Sequence, residues 1–337
     1  MTQHLRNQSR FAATDALLLD KEGRELLVVC VAGRFVLPPP GHPTIEPLRL
    51  SEDQYPPPQV DEYWGEPHLS SLRQEGQLVY ARPGTDMYVT GHAWAPQGKP
   101  TKEGVVGLRV GSCRKVARVF GPRVWQQGLL GVKPSAPQAY ERMPLRWERS
   151  VGGASEPRNP VGCGLYASAK EAVDRPLPNV EDVERLLESP TQKLAPVGFG
   201  PVARHWEPRR GYAGTYDVQW VERRAPLWPK DFDERFFQAA APGLNVASGL
   251  KGGEEVVLEG FSPDGRLEFL LPYSQLALEN RLGRRIVRRE FVLDGVHLEP
   301  DEAAVTLLWR ATILLHGELA AYSESVIQEA FPRKELQ

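Results

Sequence analysis

Cysteine is scarce in this sequence: among 337 residues there are only Cys30, Cys113 and Cys163. An odd, scattered set of three excludes a disulfide framework and a metal knuckle, and it fits free thiols in a reducing compartment. An excess of one charge is lacking too. The 41 basic and 43 acidic residues leave a net charge of −2, so no global field draws nucleic acid or acidic membrane to the chain. No apolar run reaches the roughly 18 residues that a membrane-spanning helix needs. The opening MTQHLRNQSRFAATDALLLD has no continuous apolar stretch of the kind that marks a signal peptide. A cytoplasmic protein without a membrane or nucleic-acid partner is therefore expected.

Catalytic signatures are missing as well. The chain has no GxSxG, no Walker-type glycine loop, no GxGxxG, no HExxH and no CxxC. None of its seven histidines pairs with another at metal-ligand spacing. We expect no cofactor, no metal and no catalytic residues. Weaker arrangements remain for an alternative, a β-scaffold enzyme of carbohydrate or peptidoglycan processing. Asp86 and His92 share one run with matching parity, so an Asp–His dyad could orient a general base. Asp217, near Asp231 and Asp233, offers a carboxylate group of the sort glycosidases use. The bland readings compete: a hydrogen-bonded histidine beside a turn, a helix cap and turn residues.

Proline and glycine are abundant, with 31 of each. That argues against a helix bundle and for short strands joined by turns. Residues 11–37 read as a hairpin about Lys21-Glu22-Gly23-Arg24, with ELLVVCVAGRFVL apolar enough for a central strand. Residues 38–61 carry prolines without periodicity and read as an extended connector over the surface. Strand signals return at 77–125, with two strands broken at Gly111-Ser112. Residues 254–272 form a further hairpin about Ser262-Pro263-Asp264-Gly265. The runs 285–298 and 303–314 read as strands. We expect short helices at 232–240 (capping box Asp231/Glu234) and after Asn179 over VEDVERLLES, with Val183, Leu186 and Leu187 inward. A terminal helix is expected at about 317–331, stopped by Pro332. The expected class is mainly β: antiparallel, sandwich-like sheets with long irregular loops and few short helices. The expected arrangement is one globular unit, 1–337, either a single compact body or two β lobes at about 1–125 and 250–316 joined by a loop-rich centre at 126–249.

The most informative stretch is Val197–Pro242. It contains Phe199, Trp206, Tyr212, Tyr216, Trp220, Trp228, Phe232, Phe236 and Phe237, cut every few residues by glycine or proline. Such rings dominate burial, so the stretch reads as an irregular spine onto which other elements pack. Two basic clusters stand out, Arg204–Arg210 and Arg281–Arg289. Acids bracket both, which favours solvated faces or docking to an acidic protein surface over nucleic acid. Trp206, Arg209 and Arg210 are the candidate partner-binding residues, since Trp and Arg are favoured anchors; core burial of Trp206 is the competing reading.

Several blocks occur in an order that resembles one bacterial family: RPGTDMYVTGHAWAPQGKP (82–100), LRVGSCRKVARVFGPRVW (108–125), MPLRWERSVGG (143–153), NPVGCG (159–164), LPNVED (177–182), GFGPV (198–202), AGTYDVQWVERRAPLWPKDFDERFFQAAAP (213–242) and GGEEVVLEGFSPDGRLEFLLP (252–272). This family was first described only as a domain of unknown function. The resemblance implies a gene placed in a type VI secretion cluster beside those for the VgrG spike and the PAAR tip. It further implies a non-enzymatic adaptor or chaperone that helps load an effector toxin onto that spike. Many relatives carry a pentapeptide-repeat extension, which residues 1–337 do not show.

Overall fold

The computed structural model describes residues 4–129 and 131–330. Three sheets dominate. Their strands are β1 (Leu5–Asn7), β2 (Ala12–Leu19), β3 (Glu25–Val36), β4 (Thr85–Val89), β5 (Glu103–Val110), β6 (Cys113–Phe120), β7 (Val180–Glu181), β8 (Asn245–Val246), β9 (Glu255–Glu259), β10 (Leu267–Leu270), β11 (Gln275–Leu282), β12 (Arg285–Glu290), β13 (Val292–Glu299), β14 (Ala304–Leu314) and β15 (Tyr322–Ala330). The six-stranded sheet runs β8-β4-β13-β14-β3-β2, the five-stranded sheet β7-β6-β5-β9-β10, and the four-stranded sheet β1-β15-β11-β12. The mainly β expectation holds.

The apolar run of β3 explains its place. Leu26 to Ala32 are all buried, as a strand covered on both faces requires. It pairs β2 on one edge and β14 on the other, from Val36↔Ala304 to Leu26↔Leu314. The β2–β3 turn forms at the expected place. Asp20 accepts from the Glu22 and Arg24 amides, both at 2.9 Å, and Gly23 takes φ 75°. The hairpins at Gly111 and at 259–267 also form as the sequence indicates.

The sheets ignore the division into segments 1–125 and 250–316. β4 lies beside β13 in parallel, β3 beside β14, and β5 beside β9. Each large sheet thus mixes strands from both ends of the sequence.

Three local expectations are corrected. The terminal helix is instead a strand, β15, preceded by a single 3-10 turn at Leu319–Ala321. Tyr322 to Ala330 bond to β11 on one side and β1 on the other, and two neighbouring backbones outweigh a helical stripe of Leu319, Tyr322 and Val326. The stop at Phe331-Pro332 lies outside the described residues. No helix follows Asn179, whose side chain donates to the Phe120 carbonyl at 3.0 Å while Val180–Glu181 pairs with β6. Val183 is exposed, and Leu187 alone of the three residues expected inward is buried. The run 285–298 divides at Phe291 into β12 and β13, which belong to different sheets.

Candidate functional site

The aromatic stretch is a spine at its two ends and an exposed arm in its middle. Phe199, Val202, Ala203 and Trp206 join the main core. At the other end Trp228, Phe232, Phe236 and Phe237 pack together against Leu26, Val28 and Cys30 of β3. The expected 232–240 helix shrinks to a 3-10 turn at Glu234–Phe237, where the four rings meet tilted or edge-on instead of sharing one helical face. Its cap is Asp233, which accepts from the Arg235 amide. Asp231 has a different task and holds Thr215, through N–H at 3.0 Å and Oγ1 at 2.8 Å. Those bonds keep its carboxyl below the usual range.

A buried ionic cluster ties both ends of the spine to the sheets. Glu75 is fully buried and accepts from Arg82 at 3.0 Å, from Arg204 at 3.1 Å and from Arg209. Burial opposes its charge, yet Arg209, Arg82 and Arg204 outweigh burial and hold the carboxyl below its ordinary value. Arg209 also donates to the Val202 carbonyl at 2.6 Å and the Phe236 carbonyl at 2.9 Å. Arg82 donates to the Phe237 carbonyl at 3.0 Å and to Gln77 at 2.7 Å. One carboxylate thereby fixes guanidinium groups that satisfy carbonyls 34 residues apart in sequence, a buried arrangement stable only because every partner is present.

This corrects the candidate partner residues. Trp206 is 0% exposed and meets Trp147 edge-on, and Arg209 is 2% exposed inside the cluster. Neither side chain can touch a partner; both are the anchors of the spine. Arg210 is exposed and pairs with Glu207 at 3.0 Å.

The exposed segment is 214–227. It leaves the core at Gly214 (φ 84°), where a Cβ would sit 2.8 Å from Asp231 Oδ1 and from Pro229. Asp217 caps a short helix, Val218–Arg223, by accepting from the Trp220 amide at 2.8 Å. Tyr216 packs edge-on to Trp220, whose indole N–H donates to the Leu227 carbonyl at 2.8 Å. Arg224 then pins the arm to the β2–β3 turn. Three large apolar side chains point outward, Tyr216 51% exposed, Val218 70% and Val221 62%, interspersed with exposed Asp217, Gln219, Glu222 and Arg223. Val218 and Val221 are three apart and so share one helical face. The same segment borders a groove of about 420 Å³, lined by Thr215, Asp217, Trp220, Arg223, Arg224 and Lys230.

The weak catalytic candidates hold separate partners. Asp86 is buried and accepts from the Ala239 amide at 2.5 Å and from Asn245 at 2.8 Å; burial, only partly offset by Arg82 and Asn245, pushes its carboxyl up. His92 does not meet Asp86. Its Nδ1 lies 2.7 Å from Asp301, which also accepts from the Trp94 indole at 2.9 Å. Parity along one run put Asp86 and His92 on the same side, but Thr90 and Gly91 interrupt the strand between them. Asp217 is a cap. Glu75, Arg224 and Asp301 went unnoticed in the sequence, since each finds its partner across a long separation and no local spacing marks it.

The family described as "Uncharacterized protein conserved in bacteria" (DUF2169) matches residues 22–310. No curated protein and no solved structure matches the chain. Among the described residues no helix is long and apolar enough to cross a membrane. The family match spans both ends of the spine, the arm and strands of all three sheets, and the chain belongs to the DUF2169 family.

Proposed function

We propose that this protein is a cytoplasmic, non-enzymatic adaptor or chaperone that binds a type VI secretion effector and helps load it onto the VgrG/PAAR spike. The observation that carries the reading is the arm. Tyr216, Val218 and Val221 expose apolar surface on a segment whose base is closed by Thr215–Asp231 and tied to the β2–β3 turn by Arg224. Exposed apolar groups held by a rigid base mark a protein-binding surface, since ordering them in advance lowers the entropy lost on association. The secretion-cluster setting that the resemblance of its sequence blocks implies supports the same role.

The test is recovery of partners from the native host with the tagged chain and with a Tyr216→Ser/Val218→Ser/Val221→Ser variant. The adaptor reading expects a toxin or a spike component with the first and its loss with the second. Recovery of the chain alone under gentle conditions overturns it.

A second reading, an enzyme of carbohydrate or peptidoglycan processing, has one observation in its favour. His92 and Asp301 are paired beside Trp94, which lines a groove of about 750 Å³ together with Glu259, Asp264 and Arg266. Hydrolysis of cell-wall fragments by the purified chain, abolished by His92→Ala, would establish it.

A further inference from the structure

β12 (Arg285–Glu290) ends the four-stranded sheet, and among the described residues no strand pairs with its outer edge. The β11–β12 turn places Leu282 opposite Arg285 around Gly283 at φ 57°. A two-residue turn closes on a hydrogen-bonded pair, and the antiparallel ladder then alternates. The Phe291 amide donating to Leu276 agrees with that register. Ile286, Arg288 and Glu290 therefore direct their N–H and C=O groups away from β11. All three are exposed, Ile286 by 59%.

The edge is strongly basic. Arg281, Arg284, Arg285, Arg288 and Arg289 lie within nine residues. Arg285 reaches Glu318 at 2.7 Å. Among the described residues the other four have no carboxylate within 4.0 Å. The acids nearest in the sheet are Glu279, opposite Arg288, Glu290, opposite Ala277, and Glu324, opposite Arg281 on β15. The arginines outnumber them, and Arg281 and Arg288 flank Ile286 on the solvent face of the hairpin. Two copies of such an edge repel each other, which is how natural sheets prevent self-pairing. A strand with carboxylates meets no such repulsion, and its backbone can complete the ladder.

We propose that β12 is a docking edge for an extended acidic segment of a partner protein, which adds to the four-stranded sheet as a further strand. Its backbone pairs with Ile286, Arg288 and Glu290, an apolar side chain lies against Ile286, and carboxylates two residues to either side of it face Arg281, Arg284 and Arg288 on the same side of the sheet. The surface is separate from the arm, and the proposal stands apart from the adaptor reading.

The probe is an acetylated heptapeptide with Glu, Val and Glu on one strand face (Thr-Glu-Thr-Val-Thr-Glu-Thr), with Lys in place of each Glu as control, titrated by fluorescence anisotropy against the full chain. Saturable binding of the acidic peptide alone is expected, with protection of the 286, 288 and 290 amides from hydrogen exchange. Arg288→Pro removes an outward N–H without touching the β11 ladder, so it should weaken binding at least about tenfold. Reversal of Arg281, Arg284, Arg288 and Arg289 to Glu should abolish it. If Arg288→Pro fails to fold, protection of the three amides in the unaltered chain decides. No binding of the acidic peptide, or binding without protection of those amides, overturns the proposal. So does capture of a single-stranded oligonucleotide in place of the peptide, lost on charge reversal but not in Arg288→Pro. Self-association of the charge-reversed chain with no peptide binding by the unaltered chain would mean that the arginines only guard the edge, and would overturn it too.

Discussion

Arg224 on the arm reaches Glu22 on the β2–β3 turn, with Nη1 donating to the carboxylate at 2.9 Å and Nη2 to the Lys21 carbonyl at 2.7 Å. Nε donates to Trp228 at 2.8 Å, so a single guanidinium joins the arm, its own base and the hairpin. At that turn, the place of a Cβ on Gly23 is already filled by Leu227, 2.8 Å away.

Arg224→Ala should free the arm without unfolding the protein. The contacts are near the surface and screened, so the global melting temperature should barely move. Hydrogen exchange over 216–227 should rise, and limited proteolysis should cut there first. An unchanged exchange pattern would show that Leu227 alone fixes the arm.

Glu75→Gln keeps the shape and removes the charge. Arg209 then lies buried without its carboxylate, and Arg82 keeps a single carboxylate, Asp86, 3.6 Å away. A loss of about 3–5 kcal/mol is expected, the usual cost of breaking a buried pair from one side. Urea unfolding of the two proteins measures it.

His297 is buried, accepts or donates at Thr90 (2.7 Å) and stacks on Tyr88. Burial pushes its imidazole down from 6.5 to about 4. The fold thus favours the neutral ring. That preference is fully present above about pH 6.5 and is lost as pH falls through 4. Between pH 7 and pH 4 the unaltered protein should lose up to about 3 kcal/mol more stability than His297→Gln. Parallel pH profiles from denaturant unfolding would show no such difference if the ring is charged in the fold.

Gly214→Ala places a methyl group against Pro229 and Asp231 at a left-handed φ. A cost of about 1–3 kcal/mol is expected. The Thr215–Asp231 clasp should open with it, seen as faster exchange of the Thr215 amide, whereas Gly243→Ala, with open space around its Cβ position, should leave that amide alone.

How far the structure could be read in advance depended on the range of the forces involved. The strand β3 was legible because seven successive apolar residues have one good solution, a central strand. Turns at Gly23, Gly111 and Pro263-Asp264-Gly265 were legible because backbone preference is local. Tyr322–Ala330 was not, because helical and alternating spacing both fit so short a run, and Gln275–Leu282 supplies the deciding hydrogen bonds from 40 to 55 residues away. Trp206 and Arg209 looked like partner anchors for a similar reason: the same residue types serve interfaces and cores.

The sequence by itself settled the class: short strands, frequent turns, and a central apolar strand, all consequences of side-chain and backbone chemistry within a few residues. Only the tertiary structure decided which residues are anchors and which are presented. Glu75 stands 134 positions from Arg209, and Glu22 stands 202 from Arg224. A buried charge needs its partner in space, and nothing along the chain records that distance.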